Sequence, residues 1–259
     1  PERRIFLSLT GVELKKIRRS GILWILVIPV FLIWLTSVIN ADINFTMGNE
    51  GISPENNFFI QSFMGYAWFM YPASIVISTV MLIQTERRNR GILKMLALPV
   101  SAARLCLAKF CVLLLLAAAQ MLFMTLAYFP SAAIASHTQG YDFMLPVIDI
   151  LREAGTIYIS SIPMAAFFWL LAVCIRTPIF SMGVGMASIV PSVLLINTKI
   201  WFAYPMCYPF LMTASRMHEL ASNMGIFAFE LIPFIPAAVG ITVVSLFTAC
   251  ICFGQAERR

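Results

Sequence analysis

The sequence predicts an all-α integral membrane protein. Six transmembrane helices are expected, with an N-terminal amphipathic interfacial helix, a cytoplasmic docking helix between spans 2 and 3, and a re-entrant outer segment before span 6. Three observations predict this class. Hydrophobic residues make up 60% of the 259 and charged residues only 12%, with a mean hydropathy of +0.88, so there is too little polar surface to cover a water-soluble domain. Six apolar runs are long enough to cross a hydrocarbon core of roughly 30 Å. The basic residues behind the net charge of +6 sit at the ends of those runs, which is a membrane-topology pattern rather than a nucleic-acid surface.

Taken in order, residues 1–20 carry Arg3, Arg4, Lys15, Lys16, Arg18 and Arg19, with Ile5, Leu9 and Val12 on a shared helical face. This segment is expected to lie along the cytoplasmic interface. Span 1 covers about 21–40, with Trp24 and Trp34 near its ends as headgroup anchors. It is too long for a cleaved signal segment and is followed by no small-residue cleavage site. Residues 41–57 hold Asp42, Glu50 and Glu55 but no Lys or Arg, and are placed outside. Span 2 covers about 58–84 and is expected to kink at Pro72. Span 3, about 106–129, is stopped by Pro130, and its mid-membrane Gln120 is assigned to an interhelical hydrogen bond. Residues 131–154 read as a mixed outer segment with His137, Asp142, Asp149, Arg152 and Glu153. Spans 4 and 5, about 155–175 and 179–198, are joined by the short inner turn Arg176-Thr177-Pro178. Ser181, Gly183, Gly185 and Ala187 place small residues on two adjacent faces of span 5, which lets another helix approach closely. Residues 200–213 are apolar but too short to span and carry Tyr204-Pro205 and Tyr208-Pro209, which suits a re-entrant or interfacial hairpin. Span 6 covers about 231–253. All 259 residues are read as one domain.

This assignment puts all of the 18 basic residues inside except Arg152, Lys199 and Arg216. All of the 12 acids fall outside except Glu2, Glu13, Glu86 and Glu257. The basic bias places both termini in the cytoplasm.

The stretch from Thr85 to Lys109 organises the chain and holds Arg87, Arg88, Arg90, Lys94, Arg104 and Lys109. Residues 90–98 fit a short helix with an apolar ridge of Ile92, Leu93, Met95 and Leu96, flanked by Arg87, Arg90 and Lys94. Pro99 stops that helix and Ser101 N-caps the next. A basic loop held to anionic headgroups is the competing reading; it requires neither the ridge nor the proline stop, so a protein partner is favoured.

Catalytic and cofactor signatures are missing from the sequence: it has no Walker A loop, His-Glu-x-x-His, Gly-x-Ser-x-Gly or Cys-x-x-Cys. His137 and His218 are far apart on outer segments, and the six cysteines imply neither a disulfide framework nor a metal pair. With few ionisable groups inside the spans, an ion-coupled carrier is disfavoured. Energy for transport then has to come from another subunit.

Glu86, Arg87-Arg88-Asn89-Arg90, Gly91, the ridge with Leu93, Met95 and Leu96, and Pro99-Val100-Ser101 resemble the coupling-helix segment of ABC-2 type exporter permeases. Glu13-Leu14-Lys15-Lys16-Ile17-Arg18-Arg19-Ser20 followed by Trp24 is similar, within that superfamily, to the lantibiotic-immunity permeases. The resemblance implies a non-catalytic permease subunit in a bacterial cytoplasmic membrane. Its implied partners are membrane lipid, a second permease that is often a non-identical sibling, and two ABC ATPase subunits that hold ATP and Mg. It also implies ATPase coupling through Glu86, Arg87, Arg88, Arg90, Gly91, Leu93, Met95, Leu96 and Pro99. Nucleic acid is not among the expected partners. The expected substrate is a cationic antimicrobial peptide, to which Asp42, Glu50, Glu55, Asp142 and Asp149 offer attraction, although charge asymmetry and solvation explain the same acids. An ABC-2 exporter of lipid, polysaccharide or a small drug remains open, and a membrane enzyme is a remote alternative.

Overall fold

A computed structural model describes residues 2–18, 20–88, 101–227 and 230–256. Helices α1 (Glu2–Ile17) and α2 (Ile22–Ile39) open the chain. A 3-10 helix, Ala41–Glu50, leads to α3 (Pro54–Gly65), which passes through a π turn, Tyr66–Met70, into α4 (Tyr71–Arg88). Then come α5 (Ala102–Gln139), α6 (Val147–Cys174), α7 (Pro178–Ile189) and the single turn α8 (Ser192–Leu195). Two 3-10 turns, Trp201–Ala203 and Pro205–Cys207, precede α9 (Tyr208–Leu220) and α10 (Leu231–Ala256). No strand occurs among the described residues. Among the described residues six helices or helix pairs are long and apolar enough to cross a membrane: Ile22–Ile39, Pro54–Thr85, Ala102–Gln139, Val147–Cys174, Pro178–Leu195 and Leu231–Gln255.

Helix α6 occupies the middle of the bundle, touching α4, α5, α7, α9 and α10, while α2 packs on α5 and α4. Gly21, at φ +73°, turns the chain from α1 into α2; glycine adopts this left-handed conformation without a Cβ penalty. The buried stripe of α2 is Ile22, Leu26, Val30 and Trp34, spaced four apart as a helix face requires. Trp34 is therefore not the headgroup anchor expected of it. It is buried among Phe58, Phe63 and Tyr128, and its indole N–H donates to Met124 O at 3.2 Å. Trp24 remains exposed. Among the described side chains of α1, Glu13 and Ile17 are buried and Val12 is exposed.

Prolines shape three of the spans. Pro72 has no N–H for the helix ladder, and the π turn immediately before it accommodates the mismatch. Pro130 does not end the third helix: α5 runs 38 residues to Gln139, about 57 Å of helix. In the extension Ala132 and Ala135 are fully buried, and nearby side chains bond to residues 143 and 145. Tyr128 Oη donates to Phe143 O at 2.9 Å and accepts from Leu145 N at 3.0 Å, and Phe143 N donates to Ser136 Oγ at 2.9 Å. Much of the expected mixed outer segment is thus helix, and α6 already begins at Val147. The fifth span breaks at Pro191, between α7 and α8.

Gln120 makes the interhelical bonds expected of it, donating to Ser74 Oγ at 3.0 Å and to Leu26 O at 3.3 Å, and so joins spans 1, 2 and 3. On α7 the two small-residue faces have different fates. Gly185 lies against Val76 of α4, so close that a Cβ would sit 2.7 Å from Val76 Cγ1, whereas Gly183 faces open space. In residues 200–213, Pro205, Met206, Cys207, Tyr208, Pro209, Leu211 and Thr213 are buried. Cys207 Sγ donates to Ser192 O at 3.4 Å and Tyr204 Oη to Ser188 O, so protein groups satisfy much of this irregular segment.

Candidate functional site at the basic end of the bundle

The docking segment leaves α4 at Arg88 and returns at Ser101. Arg90, Gly91, Leu93, Met95, Leu96 and Pro99 lie outside the described residues, as do the side chains of Glu86 and Arg88. Ser101 caps α5 as expected, its hydroxyl accepting from Arg104 N at 3.4 Å.

Of the residues expected to couple, Arg87 is the one whose side chain is described. It stands on the last turn of α4 and reaches across to the end of α6, where an α-helix leaves carbonyls without intrahelical partners. Its Nη1 donates to Arg176 O at 2.9 Å and Ile175 O at 3.2 Å, and its Nη2 to Val173 O at 3.1 Å. A guanidinium suits this position because its planar fork serves several acceptors at once, and its positive charge meets the negative end of the helix dipole. Burial lowers the Arg87 pKa from its ordinary value, and the neighbouring Arg176 lowers it further. The side chain is thus committed to the turn between α6 and α7, not extended toward a partner.

A second link lies beside it and was not legible in the sequence. Glu13 of α1 and Lys109 of α5 form an ion pair of 2.6 Å with side chains 4% and 1% exposed, and Glu13 also accepts from Lys16 at 2.8 Å. Leu82 and Thr85 of α4 line the seam shared by Glu13, Lys16 and Ile17. Breaking a buried pair of this kind is destabilising, and here Lys16 offsets part of the loss on the Glu13 side. The sequence signals were weak: a lysine inside an apolar run, and one acid in a strongly basic helix. Together, Arg87 and the Glu13–Lys109 pair tie α4, α1, α5 and α6 where the docking segment departs.

At the opposite end the five expected substrate-attracting acids do not converge. Asp42 is exposed on the 3-10 helix and the Glu50 side chain lies outside the described residues. Tyr141 donates its phenol to Glu55, and this bond, followed by desolvation and charge repulsion, raises the Tyr141 pKa. Asp142 neighbours that pair and accepts from Met144 N at 2.9 Å. Asp149 stands apart, 3.8 Å from Arg216, which also pairs with Glu219 at 2.8 Å. Sequence reasoning also missed Glu153, placed in the mixed outer segment; it is buried on α6, with Oε1 meeting no donor among the described residues. Its helical neighbours Ile150, Ala154 and Ile157 share that buried face.

Among the described residues no group of three His, Cys, Asp or Glu gathers as a metal site. The geometry therefore offers mechanical links between helices at the basic end and scattered acids at the other. A family profile described as "ABC-2 family transporter protein" matches residues 9–192. Comparison with curated proteins and with solved structures gives no match. Because the profile covers well over half of an all-helical chain with six candidate spans, the chain belongs to the ABC-2 transporter family, whose members are the membrane components of ABC transporters.

Proposed function

We propose that this chain is the permease subunit of an ATP-driven exporter that removes cationic, lantibiotic-type antimicrobial peptides from a bacterial cytoplasmic membrane. Both termini face the cytoplasm. The chain pairs with a second, non-identical permease above two ATPase subunits, which hold the ATP and Mg. Residues 90–98 form the coupling helix, and Glu86, Arg87, Arg88, Arg90, Gly91, Leu93, Met95, Leu96 and Pro99 make up the coupling region. Residues 200–213 form the re-entrant outer hairpin.

The observation that carries this reading is the Arg87 bridge from the last turn of α4 to the end of α6. ATP-driven closure of the ATPases pushes on the ridge at 90–98, and α4 moves. Arg87 passes that movement to the α6–α7 turn, while the Glu13–Lys109 pair makes α1 and α5 move with it. The spans tilt, and peptide leaves outward or laterally between the paired permeases. Asp42, Glu50, Glu55, Asp142 and Asp149 draw cationic peptide to the outer face through their summed field rather than as one site.

Replacing Leu96 or Met95 with Asp tests the coupling role. The substitution places a charge in the apolar ridge, and the expected result is loss of ATPase co-purification and of peptide resistance with membrane insertion retained. Normal association and normal resistance contradict the proposal.

A further inference from the structure

Among the described residues a π turn occurs in span 2, where α3 passes into α4. The turn is wider by one residue: Tyr71 N–H donates to Tyr66 O, five residues back instead of four. In an α-helix, residues five apart point about 140° away from each other. Here the Tyr66 and Tyr71 rings are stacked, with centroids 5.3 Å apart and planes inclined by 29°. The stack thus depends on the π register.

Both tyrosines are fully buried. Ser161 spends its proton on Tyr158 O at 2.6 Å, so in the 2.9 Å contact between Tyr71 Oη and Ser161 Oγ the phenol is the donor. Tyr71 keeps acceptor capacity on its oxygen. Tyr66 Oη has no hydrogen-bond partner among the described residues, and a buried hydroxyl in that state is unfavourable.

Pro72 alone explains a local break in the helix ladder. It explains neither the partnerless phenol nor the change of neighbours at the turn. On the outer side, α3 packs chiefly on the 3-10 helix and α9; on the inner side, α4 packs chiefly on α7 and α6. The Val76–Gly185 contact and the Arg87 bridge both belong to the inner half. A push on α4 therefore reaches the π turn as a torque between two differently anchored half-helices.

We propose that the π turn at Tyr66–Met70 is the hinge of span 2 and that the Tyr66 hydroxyl is its switch group. It is unpartnered in this conformation and hydrogen-bonded to the Tyr71 oxygen once α4 has turned relative to α3. The hinge rests on the coupling role proposed for residues 90–98, which supplies the push, and names where in the span that push becomes a bend. A group satisfied in one state and orphaned in the other biases the equilibrium between them.

The test uses the complex purified with its ATPase and reconstituted in nanodiscs, read by amide hydrogen exchange and ATP turnover, with and without vanadate trapping. In wild type the amides of residues 67–71 are expected to exchange faster than those in the middle of α3 and α4, and to change protection on trapping. Tyr66→Phe removes one oxygen and keeps the ring stack. It should raise the thermal stability of the resting complex and lower the trapping response and ATP turnover about fivefold, the size of one lost hydrogen bond. A merely idle hydroxyl gives the same gain in stability with wild-type turnover and trapping response, and that result overturns the switch. Deleting Phe69, an exposed residue of the turn, removes the extra residue; exchange there should slow to that of the flanking helices and no longer respond to trapping. Wild-type behaviour of the deletion overturns the hinge. If trapping alters α4 or α6 in wild type but not residues 67–71, the hinge falls and the coupling role stands. If no segment responds, the coupling role falls and the hinge with it. Should the deletion fail to assemble, Tyr66→Phe decides.

Discussion

Arg87 shows how one side chain changes meaning between sequence and structure. In the sequence it is one cation of a basic cluster, indistinguishable from Arg88 or Arg90. In the structure its guanidinium joins two spans through three backbone carbonyls. Replacing it with Ala removes charge-assisted bonds worth about 1–2 kcal/mol once its partial exposure is discounted. The expected outcome of R87A is a small loss of thermal stability, retained ATPase binding and a large loss of peptide export. R87K should recover export only in part, because a point charge cannot fork across the three acceptors. Wild-type export by R87A, measured in resistance assays alongside co-purification, would remove Arg87 from the transmission path. Its cluster was legible because charge at the end of an apolar run stands out in any composition profile. Its partners were not, since they are main-chain atoms more than eighty residues away.

At the scale of elements, apolar length anticipated the six candidate spans among the described residues, but Pro130 was misleading where packing outweighed local preference. Pro130 reads as a stop, yet α5 continues to Gln139, with Ala132 and Ala135 buried and with Tyr128 and Ser136 bonded to Phe143. Helix propensity is a weak prior against that much tertiary contact. The small-residue pattern on α7 was legible as a close-packing device, but only the structure says which face is used. Gly185→Ala is therefore expected to destabilise the α4–α7 contact by about 1–3 kcal/mol through overpacking against Val76. Gly183→Ala has open space in front of it and should be neutral or slightly stabilising. Thermal unfolding of the two purified variants checks this, and equal stability would mean that α7 does not lean on α4 through Gly185.

For the whole molecule, the sequence pattern of charges corresponds to two ends of different character. Arg87, Lys109 and Arg176 gather at one end with Glu13, while Glu55, Asp142, Asp149 and Glu219 occupy the other. That sorting was readable because membrane topology is written in composition. Buried Glu13 and Glu153 were invisible for the opposite reason, as burial of a charge depends on the partner helix rather than on neighbours in sequence.

The central claim is that the segment between α4 and α5 projects on the ATP-containing side and is held there by an ATPase. Lys94→Cys in a background without exposed thiols, labelled in intact cells with a membrane-impermeant maleimide, tests it directly. Labelling should appear only after the membrane is permeabilised, and should be slowed when the ATPase subunit is co-expressed. Reaction from the medium in intact cells, or labelling indifferent to the ATPase, contradicts the account.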